Sequence, residues 1–212
     1  MRAKNTLRLI TVNTWKGDGR YGRRLGLLAK GLKRLEPDIL CLQESLRTPD
    51  SKMDTAGYLG RTLGLSVTYA PGRFKKRKIE GEAHYSHSGL ALLSKVEPLE
   101  YECIALPASA EDPDRSFLAA LIHTKGHLIS ITNVHLTHLQ AEDKLRKKQL
   151  LATIDGSLAF TETSIKNRAA ESHSALQFIC GDFNWQLETS ELEGLEKESG
   201  LRLDDCYIEG GG

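Results

Sequence analysis

Residues 25–44 read LGLLAKGLKRLEPDILCLQE, and this stretch decides the fold class. Leu25, Leu28, Ala29, Leu32 and Leu35 recur at helical spacing. Pro37 follows where the pattern stops, as expected where a helix must end. Ile39 to Leu42 is an unbroken apolar run, which predicts a strand covered on both faces. It stops at Gln43-Glu44, two polar residues that a buried strand has no reason to carry.

Upstream, the apolar run around Leu7, Leu9, Ile10 and Val12 predicts a first strand. Downstream, a weaker helix is expected around Ala56, Leu59 and Leu63, then a strand near Val67 to Ala70. Residues 71–88 read as a long polar loop, and Gly89 to Leu93 as a strand. Phe117 to Ile122 and Leu128 to Val134 flank Lys125-Gly126 and predict a hairpin. A basic helix follows, with Leu145, Leu150, Leu151, Ile154 and Leu158 as its expected inner face, and then a buried strand at Leu176 to Cys180. Ser190 and Glu193 have the spacing of a capping box, and Gly200 is placed to end the helix that would start there. Hairpins beside strand–helix–strand units predict an α/β (α+β) protein with a mixed sheet or two packed sheets.

The 212 residues fit one domain, 1–212, with no internal repeat or linker. At 40% hydrophobic and 27% charged, the composition is that of an ordinary globular protein. Lys plus Arg (29) against Asp plus Glu (28) leaves a net charge of +1, so any attraction to nucleic acid or membrane must come from a local patch. No apolar run approaches the ~18–20 residues of a membrane span. The Met1–Asn5 start and the short apolar run after it are not expected to act as a signal peptide. Cys41, Cys103, Cys180 and Cys206 form no CxxC pair. Three of them lie in or beside apolar runs, so buried, reduced thiols and a cytoplasmic location are expected.

Several apolar strands end in oxygen-bearing or imidazole side chains: Asn13, Gln43-Glu44, Asn133 with His135, and Asp182 with Asn184. Each has an ordinary reading alone, as a turn residue, a solvated strand end or a hydrogen-bonded histidine. Together, at strand ends that converge in space, they outline a site. Glu44 and Asp182 supply hard carboxylate oxygens, with Asn13 and Asn184 as neutral partners, a set suited to Mg²⁺ and also to Mn²⁺. HExxH, a P-loop and GxSxG are absent from the sequence. A hard cation beside a histidine and a free carboxylate suits hydrolysis of phosphate esters.

These residues resemble the endonuclease/exonuclease/phosphatase superfamily of divalent-metal phosphoesterases. The matching segments are Val12-Asn13-Thr14-Trp15, Pro37 to Glu44, Ser88 to Ser94, Asn133-Val134-His135-Leu136 and Gly181-Asp182-Phe183-Asn184, in order over roughly residues 7–205. The resemblance implies a two-sheet β-sandwich flanked by helices. It implies Glu44 as principal metal ligand, Asn13 holding metal or phosphate, and Asp182 orienting or deprotonating water close to the metal. Asn184 would position that water or the phosphate, and His135 would act as acid or transition-state donor. Glu82 and Arg115 fall where some relatives keep polar site residues, but no motif fixes either.

One departure matters. The family closes on a strand carrying an Asp-His pair, whereas here Asp204-Asp205 is soon followed by Gly210-Gly211-Gly212, and no Asp-His dipeptide occurs. The other histidines (His84, His87, His123, His127, His138, His173) offer no motif-supported substitute. The domain is therefore expected to lack the family's last strands, as a fragment of an active enzyme or as a short form with lost or altered activity.

Family substrates span DNA, RNA, nucleotide adducts, sphingomyelin and inositol phosphates. Lys75 to Lys78 with Arg73 are candidates for nucleic-acid phosphate contacts, and Tyr69, Phe74 and Tyr85 for base stacking. Read instead as a solvated charge run, the same residues say nothing of substrate. Lys144, Arg146, Lys147 and Lys148 are read as a solvent face that would at most extend the basic patch. The expected activity is Mg²⁺-dependent hydrolysis of phosphodiesters in nucleic acid. The alternatives are a phosphoesterase acting on a phospholipid or small ester, and a silent binding module.

Overall fold

A computed structural model describes residues 6–168, 174–186 and 188–210. Met1–Asn5, His173 and Gly211-Gly212, which entered the sequence reading, lie outside the described residues. The chain order is β1 (Leu9–Asn13), α1 (Tyr21–Leu35), β2 (Ile39–Arg47), α2 (Thr55–Leu63), β3 (Ser66–Ala70), β4 (Phe74–Ile79) and β5 (Glu82–Ser94). It continues with β6 (Glu100–Ala105), β7 (Ser116–Thr124), β8 (His127–His135), α3 (Asp143–Lys166), β9 (Leu176–Asp182), α4 (Thr189–Ser199) and α5 (Cys206–Glu209).

The strands form two mixed sheets. One runs β1-β2-β5-β3, with β4 paired to the far half of β5; the other runs β6-β7-β8-β9. β1 is parallel to β2 and β9 is parallel to β8, while the remaining pairs are antiparallel. Ile39 and Cys41 of β2 with Leu90 and Leu92 of β5 face Leu118, Ala120, Ile122, Ile129 and Ile131 across the sandwich. Alternate residues of the same strands, Leu40, Leu42, Leu46, Ala91 and Leu93, face outward under Leu25, Ala29 and Leu32 of α1 and Ala56 and Leu59 of α2. That double cover is why Ile39 to Leu42 is apolar at every position. α1 ends at Glu36, which is left-handed (φ 48°) and returns its N–H to the Leu32 carbonyl, directly before Pro37.

A polar clamp joins the sheets at the end where the site residues lie. Between Leu42 and Ser45 the β2–β5 register slips by a bulge. The fully buried Asn133 of β8 sends its Nδ2 to the carbonyls of Leu42 and Ala91, both at 3.0 Å. Its Oδ1 accepts from Gln43 Nε2 at 2.6 Å, and Gln43 Nε2 also reaches Thr11 Oγ1 at 3.0 Å. The bulge leaves backbone acceptors without a full ladder, and the amide from the opposite sheet satisfies them.

Five expectations are corrected. Residues 71–88 are not a loop, because β4 and the start of β5 form a hairpin across Glu80-Gly81. Both turn residues have positive φ (48° and 97°), the backbone a two-residue hairpin turn needs. The inner face of α3 is only in part the leucine set: Leu150 and Ile154 are buried on it and Leu151 and Leu158 pack at its edge, while Arg146, Gln149, Thr153, Ser157, Phe160, Thr161 and Ser164 complete it. Arg146, Gln149, Ser157 and Thr161 can be polar there because each has a partner on β8 or the following loop. Ser157 meets Thr132 at 2.8 Å, Thr161 meets Ser130 at 2.7 Å, and Gln149 Oε1 accepts from Thr137 N at 2.8 Å. Arg146 is buried with Nη1 on the Thr137 carbonyl at 2.7 Å, so it is no part of a solvent face.

The capping pair of α4 is Glu188 and Glu191, with Glu191 Oε2 accepting from Glu188 N at 2.9 Å, two residues ahead of the Ser190–Glu193 pair; Gly200 does end the helix. Only Cys41 is buried; Cys180 is half-buried, and Cys103 and Cys206 are exposed free thiols. Among the described residues no helix is long and apolar enough to cross a membrane.

Asn133→Leu keeps the branched shape and the number of heavy atoms but removes the clamp, taking the donor from the buried Leu42 and Ala91 carbonyls and leaving the Gln43 amide with Thr11 Oγ1 alone. The expected loss is about 3 kcal/mol of unfolding free energy by urea titration. An unchanged midpoint would show that the clamp carries no weight.

Candidate active site

The clamp fixes where the strand ends emerge. Asn13 is the last residue of β1, and its Nδ2 donates to Asp182 Oδ2 at 2.8 Å across the gap between the sheets. Its Oδ1 accepts from Trp15 N at 2.9 Å. Trp15 and Lys16 are both left-handed (φ 53° and 47°), so the chain folds back beside β2. Arg24 of α1 holds that turn, donating to the carbonyls of Trp15, Lys16 and Asp18 at 3.2, 3.0 and 2.9 Å.

Glu44 sits in the bulge with φ 53°. Lys16 N donates to its carbonyl at 3.2 Å, and Lys16 Nζ lies 2.9 Å from its Oε1. The carboxylate is 11% exposed, and its other oxygen, Oε2, is buried without a hydrogen-bond partner among the described residues. An unsatisfied buried carboxylate oxygen is costly, and a cation is the natural relief.

β9 brings Asp182 alongside His135 of β8 in register. Gly181 makes that approach possible: with φ 150°, a Cβ there would lie 1.9 Å from the Val134 carbonyl oxygen. Asp182 Oδ1 accepts from Asn184 N at 3.0 Å, and Oδ2 lies 3.8 Å from His135 Nε2, too long for a hydrogen bond. Asn184 is left-handed (φ 47°), and its Nδ2 donates to the Leu136 carbonyl at 3.0 Å, so its amide nitrogen braces the loop.

Burial pushes the His135 imidazole down to about 4, with the nearby Arg115 charge acting in the same direction and Asp182 opposing. His135 is therefore neutral at pH 7. Arg115 is the site residue that sequence reading left unassigned. Its Nε binds Asp112 Oδ2 at 2.7 Å, Nη1 the His135 carbonyl at 3.1 Å, and Nη2 His138 Nδ1 at 3.0 Å. Arg115, Glu44 and His135 line one small hollow of about 40 Å³ with Gly72, Ser88 and Ser116. A broader one of about 310 Å³ adjoins Asn13, Gln43, Asp182, Asn184 and Trp185.

The structure thus brings Asn13, His135, Asp182 and Asn184 into direct or near contact, and Glu44 joins them through the hollow it shares with His135. Glu82 lies at the far end of the β4–β5 hairpin, its side chain 83% exposed. Lys16 had no motif, and its role follows only from the turn that places it on Glu44.

The chain matches the Endonuclease/Exonuclease/phosphatase family over residues 10–210 and belongs to that family, whose members are hydrolytic phosphoesterases. Among solved structures, the human Nocturnin catalytic domain with bound sulfate anion aligns at a TM-score of 0.67 and 23% identity, over 95% of this chain and 72% of that one. An endonuclease/exonuclease/phosphatase family protein from Leptotrichia buccalis aligns at 0.63 and 16%, over 92% and 75%. D. rerio TDP2 complexed with single strand DNA product aligns at 0.54 and 19%, over 92% and 65%. At these identities the likeness is one of fold. No protein of curated function matches the chain.

His135 gives a pH prediction for the metal-free protein. Its folded pKa near 4 lies below the ordinary value of about 6.5, so the unfolded chain binds more protons between the two. The stability is fully present above pH ~6.5 and is lost as pH falls through ~4. Urea titrations across this window should show the loss and His135→Gln should reduce it; an imidazole NMR midpoint above 6 would overturn the assignment.

Proposed function

We propose that the chain hydrolyses phosphodiester bonds in nucleic acid with Mg²⁺ or Mn²⁺ held at the Glu44 end of the sandwich. The observation that carries this reading is the buried Oε2 of Glu44, which has no hydrogen-bond partner among the described residues, beside a hollow that also contains His135 and Arg115. Among the described residues no group of three His, Cys, Asp or Glu side chains forms a closed metal cage. One or two carboxylates with room for water and phosphate is the arrangement Mg²⁺ prefers, so the residues present fit the ion. When bound, it supplies charge neutralisation for the phosphoryl oxygens and activation of water.

Glu44 is the principal ligand in this reading, with Asn13 and Asp182 completing the oxygen set. Asp182 takes the proton of the attacking water, its two oxygens aimed by Asn13 Nδ2 and Asn184 N. Asn184 acts through Asp182 and, with Asn13, borders the space for phosphate. Neutral His135 donates a hydrogen bond to a phosphoryl or leaving oxygen and needs no ambient-pH protonation to do so. Arg115 fixes the His135 backbone and adds positive charge to the hollow.

The nucleic-acid assignment draws on charge. Lys16 and Arg77 lie near Glu44, with Lys75 and Arg73 next to Arg77 and the carboxylates of Asp18 and Asp114 among them, on a chain whose net charge is only +1. The crowding is dense enough that burial, together with Arg77, Arg73 and Lys16, lowers the Lys75 pKa. A polyanion is the ligand such a cluster attracts.

Hydrolysis of bis(p-nitrophenyl) phosphate and of a labelled oligonucleotide should require Mg²⁺ and stop with EDTA. Glu44→Gln and Asp182→Asn should each lower kcat by roughly 10²-fold or more with the fold intact by circular dichroism. Parental rates in both variants would overturn the assignment. Mg²⁺ binding by calorimetry without turnover would instead identify a silent binding module.

A further inference from the structure

We propose that one face of the β4–β5 hairpin is a stacking platform that delivers single-stranded nucleic acid to the Glu44–His135 hollow. The inference rests on the nucleic-acid reading above and narrows it to the single strand. Phe74 and Tyr85 are large rings with 50% and 57% of their surface exposed, and neither belongs to a core cluster. Their centroids are 5.7 Å apart with planes 23° from parallel, and His87 extends the row at 4.7 Å from Phe74. Pairing puts all three on one face, since Phe74 opposes His87 and Tyr85 opposes Lys76. Lys76 and Lys78 share that face and are exposed.

The row begins at the site. His87 Nδ1 lies 2.9 Å from the Gly72 carbonyl, and Gly72 and Ser88 line the hollow with Glu44 and His135. Bases of an extended strand have open π-faces that stack on such rings, while the cations beside them meet successive phosphates. In a duplex those faces are covered, so the platform discriminates by strandedness and not by sequence. An anionic membrane is the competing occupant of exposed aromatics and lysines. The hairpin tip argues against it, because Glu80 and the 83% exposed Glu82 carboxylate stand where insertion would begin.

Fluorescence anisotropy with a short labelled oligothymidylate and with a duplex of equal length, both in EDTA, tests this without requiring turnover. The protein should favour the single strand, and Phe74→Leu with Tyr85→Leu should weaken single-strand binding roughly tenfold or more while leaving duplex binding nearly unchanged. Lys76→Ala with Lys78→Ala should flatten the salt dependence. Tyr85→Leu alone, expected to give a smaller loss in the same direction, carries the test if the double variant does not fold by circular dichroism. Equal single-strand affinity in parent and ring variants, or equal losses on both forms, would overturn the platform. Capture by phosphatidylcholine vesicles containing phosphatidylserine, with no oligothymidylate binding, would overturn it in favour of a lipid surface.

Discussion

The constraint on which the molecule depends is the Asn133 clamp. A side-chain amide from one sheet completes the broken ladder of the other, so the two layers are fixed in relative position at the end where chemistry is proposed. The same irregularity that Asn133 stabilises places Glu44 in a left-handed backbone and buries one of its oxygens without a hydrogen-bond partner among the described residues. Fold and site therefore share one origin, a single extra residue in β2. A regular strand would have continued the alternation past Leu42 and carried no such pocket.

Legibility in the sequence followed from what burial makes visible. β2 and β7 stand out because their doubly covered segments, Ile39 to Leu42 and Phe117 to Ile122, are apolar throughout, and the polar Gln43-Glu44 stand out by contrast; β8 reads as a strand although Ser130, Thr132 and Asn133 are buried in it. The same logic placed α3 with its buried Leu150 and Ile154 but missed the rest of the stripe, which has helical spacing and is built from Arg146, Gln149, Thr153, Ser157 and Thr161. Hydrogen bonding replaced apolarity there, and no hydrophobic pattern reports it. The hairpin was missed because FKKRKI has the composition of a loop, although a charged edge strand is a common protection against unwanted pairing. Arg115 and Lys16 had no local signature, because their importance lies in contacts made 20 and 28 residues away, with His135 and Glu44.

The electrostatics at this end are graded. Burial keeps His135 uncharged despite its carboxylate neighbour, so the interior of the site offers a neutral donor and a carboxylate. Positive charge surrounds them in steps, with Arg115 in the same hollow, Lys16 paired directly with Glu44, and Arg73, Lys75 and Arg77 farther out. The near-zero charge of the whole molecule makes this a local field instead of a general affinity for polyanions.

Gly181 has a wider significance. Any side chain there would strike Val134 of the neighbouring strand, so a substitution must displace β9 and carry the carboxylate that follows away from the imidazole. A residue without a functional group thus sets how closely two functional groups can approach.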